Sequence, residues 1–155
     1  MNAADSSSTP VTLPSLALDE RLFDESRFPL VRLRPRAVKR GYAFAWSVQM
    51  RRLVALSTPF VLVAEHDEQE TADDARLRAA WMRTHRATLA AFCRGLIVIE
   101  ARATTRETLR AMTEGTGVRT VVVSSMRVAG ELAPVLLKHA IPESASAART
   151  RTQAI

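Results

Sequence analysis

Cysteine is almost missing from this chain. Cys93 stands alone, so no internal disulfide can form, and the usage fits a reducing cytoplasm. Aromatic residues make up only 5%. Most of them are needed for a core, which argues against a stacking platform for single-stranded nucleic acid. No apolar run approaches the roughly 18 residues of a membrane span. The opening "MNAADSSSTP" lacks the basic and apolar regions of a secretory signal, so the expectation is a cytoplasmic protein with no membrane contact. Walker, G-x-S-x-G and H-E-x-x-H motifs are also missing. "EGTGVR" holds Gly115 and Gly117, but it precedes a strand and cannot present a helix N-terminus to phosphate. Cys93 lacks a metal-spaced partner and is expected to be buried and inert. No metal and no cofactor are expected.

What remains is an ordinary globular composition. The 155 residues are 47% hydrophobic and 25% charged, which points to one domain around one core. Twenty-two basic residues against sixteen acids give a net charge of +6, so a polyanionic partner has to be considered. Residues 1–26 and 140–155 lack a sustained apolar pattern and read as flexible ends, the second one basic. Within the first, "LALDERLF" can form a turn of helix that docks Leu18, Leu22 and Phe23. The folded domain is expected over 27–139.

The middle of the chain alternates strand and helix. "PLVRLR" (29–34) alternates apolar and basic, the pattern of a half-buried or edge strand. A helix follows from Val38 to Leu56, with Trp46, Met50, Leu53 and Val54 on one face and Pro59 beyond its end. "FVLVAEH" is a buried strand. A long helix over about 72–94 carries Leu77, Trp81, Thr88 and Phe92 on its apolar stripe, with His85 as a hydrogen-bonded core residue and Gly95 as C-terminal cap. "LIVIEA" is a third strand. "TTRETLRAMTEG" is a helix opened by a Thr104–Glu107 capping box, and "RTVVVSS" is a fourth strand. A last helix, from about Met126 to His139, is expected to break near Gly130 and Pro134. Continuous Val/Ile/Leu strands are buried on both faces. The expected fold is therefore α/β: a single small domain with a mostly parallel four- to five-stranded sheet and helices on both faces.

Such a sheet binds ligands at the carboxyl ends of its strands. That rim would carry Glu65, His66 and Asp67, then Glu100 and Arg102, then Ser124 and Ser125. Of these, His66, Asp67, Arg102, Ser124 and Ser125 are the candidate ligand-binding residues. The acids of "EHDEQETADD" have a simpler use. Thr71 serves as an N-cap, Asp73 and Asp74 oppose the helix dipole, and Glu68, Gln69 and Glu70 form a solvated loop. Capping is the preferred account of this stretch, and of Ser124 and Ser125.

Two further surfaces stand out. From Ser26 to Ala64 no acid occurs. Arg32, Arg34, Arg36, Lys39 and Arg40 within this span form a candidate polyanion-binding patch. On the helix, Phe44 and Val48 lie opposite the apolar stripe beside Arg51 and Arg52. Apolar centres with arginine rims are the usual make-up of protein contacts, so these four are the candidate partner-binding residues.

The segments "SRFPLVRLRP", "TPFVLVAEHDE" and "RLRAAWMRTHRATLAAFCRGLIVIEARATTRETL" resemble bacterial STAS-like proteins, the sulphate-transporter and anti-sigma-factor-antagonist fold. The likeness spans roughly 27–139 and rests on pattern and spacing. It implies a four- or five-stranded sheet with helices and a regulatory, non-catalytic role in protein–protein binding. Antagonists of this fold carry a phosphorylatable Ser in an Asp-Ser-Ser-Gly stretch. Here "HDEQETADD" stands in its place, with Thr71 as the one hydroxyl among acids that would repel a phosphate. Thr71 is not assigned that role. The leading expectation is a regulatory or scaffolding domain that binds a protein partner or itself. The alternative is a basic nucleic-acid-associated protein. A third is a small enzyme with His66 as general base and Arg102 holding an anion.

Overall fold

The computed structural model describes residues 18–113 and 117–139. These form a five-stranded, mostly parallel sheet with five α-helices: β1 (Phe23–Arg27), β2 (Leu30–Leu33), α1 (Tyr42–Ala55), β3 (Phe60–Glu65), α2 (Ala72–Thr84), α3 (Arg86–Phe92), β4 (Cys93–Ile99), α4 (Ala103–Thr113), β5 (Thr120–Val123) and α5 (Met126–Lys138). Strands lie side by side in chain order. β1 is antiparallel to β2, and every later pairing is parallel.

The strand alternation sorts side chains onto two faces. Leu62, Cys93 and Leu96 point into a large cluster with Trp46, Met50 and Leu53 of α1, Trp81 of α2 and Leu89 of α3. Val61, Val63, Ile97 and Val123 point the other way, onto Ala129, Ala133 and Leu136 of α5. Each crossover steps to the next strand in the same direction, so a common hand places α1, α2 and α4 on one face. Among the described residues, α5 is the helix that covers the opposite face. Leu62, Ile97 and Val122 are all buried, as strands covered on both sides require.

Several expectations need correction. Leu18, Leu22 and Phe23 are buried as expected, and Asp19 O accepts the Leu22 and Phe23 N–H groups at 3.0 and 2.9 Å to close a single turn, from which Phe23 leads into strand β1. Residues ahead of 27, Leu18, Leu22 and Phe23 among them, therefore belong to the folded core. β2 has the half-buried alternation expected of it, but it is an inner strand with β1 at the edge. The 72–94 helix is interrupted at His85, whose backbone leaves helical values. Gly95 is not a cap but part of β4, where a Cβ would stand 2.8 Å from Leu136 Cδ1. Helix α4 begins at Ala103, so Thr104 lies inside the first turn and the proposed capping box does not form. α5 runs unbroken through Gly130 and Pro134. The C-terminal tail, 140–155, lies outside the described residues. No helix among the described residues is long and apolar enough to cross a membrane.

Candidate functional site

Four helices, α1, α2, α4 and α5, begin at the carboxyl rim of the sheet, and the acids of 65–74 gather there. Thr71 caps α2: its Oγ1 accepts the Asp74 N–H at 3.2 Å and donates to Asp74 Oδ2 at 2.8 Å. Asp74 does more than oppose a dipole. Its carboxylate reaches across to α1 and accepts the Gly41 N–H at 2.8 Å and the Ala43 N–H at 3.2 Å. Burial works to raise this carboxyl, but those hydrogen bonds outweigh it and hold it below the ordinary value. One buried side chain thus ties the starts of two helices together.

Glu70, expected in a solvated loop, is instead half-buried at the centre of a network. It accepts Tyr42 Oη at 2.6 Å and a two-pronged contact from Arg78, Nε to Oε1 and Nη2 to Oε2, both at 3.0 Å. The donors outweigh the burial that would raise Glu70 and keep its carboxyl low. Burial, reinforced by Glu70, pushes the Tyr42 phenol up. These partners stand far apart in the chain, so no local pattern announces them.

At the next strand, buried Glu100 holds Arg102. The guanidinium Nε and the backbone N–H both donate to Glu100 Oε1, at 3.0 and 2.9 Å, and Nη2 donates to Oε2 at 3.0 Å. Arg102 Nη1 also reaches Glu68 at 2.6 Å. The Arg102 hydrogen bonds lower Glu100 to about 2. Arg102 is therefore satisfied by two internal carboxylates and is not held open for an anion. Ser125 Oγ accepts the Val128 N–H at 3.3 Å and caps α5, as expected, while Ser124 is exposed. Capping turns Ser125 toward the helix on the far face of the sheet. The rim thus keeps His66 and Asp67 together but does not gather all five candidates at one point.

His66 and Asp67 border a cavity of about 460 Å³ between α2 and α4. Its floor is the sheet face of Leu62, Ala64, Leu96 and Val98. Ala79 and Met82 of α2 form one wall, and Leu109 and Met112 of α4 form the other. Glu65, Glu70, Arg76 and Arg78 complete a polar lip. Volume, apolar walls and a few polar groups at the rim are the ordinary attributes of a small-molecule site. Met82, Leu109 and Met112 carry no sequence signal for this role. A spacing rule sees an amphipathic helix and cannot see that α2 and α4 stand apart.

The remaining candidates separate by what they touch. Arg32 pairs with Glu65 at 2.7 Å, and Arg34 Nε donates to the Glu20 carbonyl at 2.6 Å. Two of the five polyanion candidates are thereby engaged within the fold, while Arg36, Lys39 and Arg40 are exposed. On α1, Phe44 is 70% exposed. Val48 is half-buried, and Arg51 and Arg52 are exposed. His85 stacks on Trp81 with ring centroids 4.0 Å apart, and its Nδ1 lies 2.9 Å from the Trp81 carbonyl. It is hydrogen-bonded as expected, but it is half-buried at the edge of the core and not within it. Burial pushes the Cys93 thiol up to about 11, which disfavours the thiolate and keeps it unreactive. Among the described residues, no group of three His, Cys, Asp or Glu side chains is placed to hold a metal ion. Comparison with protein-family models, curated proteins and solved structures gave no match.

Proposed function

We propose that this chain is a STAS-like, non-catalytic regulatory or scaffolding domain that works by binding another protein, with the outer face of α1 as its contact surface. The observation that carries the reading is Phe44. An aromatic ring 70% exposed on a well-formed helix leaves apolar surface in water, at about 25 cal/mol per Å². The opposite stripe, Trp46, Met50, Leu53 and Val54, already supplies the attachment of α1 to the core. Val48 extends the apolar centre by one helical turn, and Arg51 and Arg52 supply a rim suited to acidic or carbonyl groups on a partner. Leu18, Leu22 and Phe23 do not serve as its cover, because they are committed to the chain's own core. The internal matching of Arg102, Glu70 and Glu100 also favours a rim built for structure. A single five-stranded α/β unit agrees with the architecture that the STAS resemblance implies.

The double variant Phe44→Glu, Val48→Glu tests this. The expected result is a monomer with a melting temperature close to wild type. That variant would lose the self-association seen in sedimentation or the retention of a partner by immobilised wild-type protein. A large fall in melting temperature would instead assign both residues to the chain's own core.

A further inference from the structure

We propose that the cavity between α2 and α4 is a binding site for a small organic cation with an apolar body, such as an aryl- or alkylammonium compound. The inference is independent of the α1 surface. The body is specified by the walls. Leu62, Leu96 and Val98 present a flat aliphatic floor, and the flexible thioethers of Met82 and Met112 can adapt to different shapes above it. Met112 is 71% exposed, so this wall meets solvent when nothing lies against it.

The head group is specified by charge matching at the lip. Both lining arginines are already taken, Arg76 by Asp73 and Arg78 by Glu70. The lining Glu65 is matched by Arg32. Asp67 is left. Among the described residues it has no cationic partner, and its Oδ1 accepts only the Gln69 N–H at 2.7 Å. A carboxylate ligand would find Arg78 committed to Glu70, would have to compete with Asp73 for the exposed Arg76, and would face Asp67. An ammonium would find a carboxylate with unused acceptor capacity, and His66 beside it adds a ring nitrogen at the same lip. The chain as a whole is basic at +6, so attraction for a cation has to be local. Among the lining carboxylates, Asp67 supplies that local attraction, since Glu65 and Glu70 are already paired with arginines.

Three probes with one body and different heads separate the contributions: phenylbutylamine, phenylbutanol and phenylbutyric acid, titrated calorimetrically into the full chain at low ionic strength. The amine is expected to bind best and the acid worst. Asp67→Asn keeps an oxygen for the Gln69 N–H while removing the charge. It should weaken the amine about fivefold, the scale of one partly exposed ion pair, and leave the alcohol unchanged. Ala79→Phe fills the slot and should weaken all three. If that variant fails to fold, Met112→Lys at an exposed position replaces it and should weaken the amine relative to the alcohol. The proposal is overturned if no probe binds, if the acid binds as tightly as the amine, or if Asp67→Asn leaves the amine-to-alcohol ratio unchanged.

Discussion

At the scale of single residues, neighbouring acids in one short stretch do unrelated work. Asp73 is exposed and pairs with Arg76 one turn along α2, an arrangement worth little in water. Asp74, the next residue, is buried and accepts hydrogen bonds from two amides of another helix. Removing its carboxylate strands a buried amide at Ala43, and a stranded buried donor costs about 1–3 kcal/mol. Asp74→Ala should therefore destabilise the protein by about 2 kcal/mol in urea unfolding, and Asp73→Ala by no more than about 0.5 kcal/mol. Equal effects would show that Asp74 acts only on the dipole of its own helix. The sequence supports the capping role of this stretch through Thr71 and the position of the acids. It cannot distinguish the two aspartates, because the partners of Asp74 lie 31 and 33 residues away. The same holds for Tyr42 with Glu70 and for Arg102 with Glu68, separated by 28 and 34 residues.

At the scale of elements, the apolar runs were legible and the interruptions were not. β3, β4, β5 and α1 follow from continuous or periodic hydrophobicity. β1, "FDESR", has one apolar residue in five and is a strand because β2 offers it a ladder, with a register shift between Asp24 and Arg27. The apolar stripe of 72–92 continues through His85, so periodicity alone misses the break. Gly95 is a second instance. Glycine suits both a helix end and a close approach, and only the position of Leu136 decides between them. The two glycines near α5 should therefore respond in opposite directions. Gly95→Ala forces Leu136, itself fully buried, to shift, and should cost about 1–3 kcal/mol. Gly130 lies within α5 with nothing within 4 Å of an added Cβ. Gly130→Ala should gain about 0.5–1 kcal/mol from helix propensity. Thermal unfolding of both variants checks the pair, and a stabilised Gly95→Ala would contradict the close packing of α5 on β4.

At the scale of the whole molecule, the rim sets the response to acid. Glu70, Asp74 and Glu100 are all held below their ordinary values in the folded state. The folded form therefore binds fewer protons than the unfolded form wherever these groups titrate. Their contribution is complete above the ordinary carboxylate range and is lost as the pH falls through the folded values. Urea midpoints should be nearly level from neutrality down to about pH 5, then fall steeply. Glu100→Gln removes one contributor. Its deficit relative to wild type should be constant above the ordinary value of 4.5 and close as the pH approaches about 2. A deficit that widened on acidification would contradict the Glu100–Arg102 pairing. The parallel sheet and two-sided burial were legible at this scale, since both follow from uninterrupted Val/Ile/Leu strands. The separation of α2 from α4 was not, because it depends on how far two helices are held apart over the same sheet face.

The helix on the far face of the sheet also has a consequence for biosynthesis. Its partners Val61, Val63 and Ile97 are made well before α5, the last element among the described residues. As the polypeptide leaves the ribosome, the side covered by α1 to α4 can begin to assemble while the opposite face is still bare. The nascent chain therefore carries a temporary sticky surface of valine and isoleucine, of the kind that chaperones hold and that promotes aggregation.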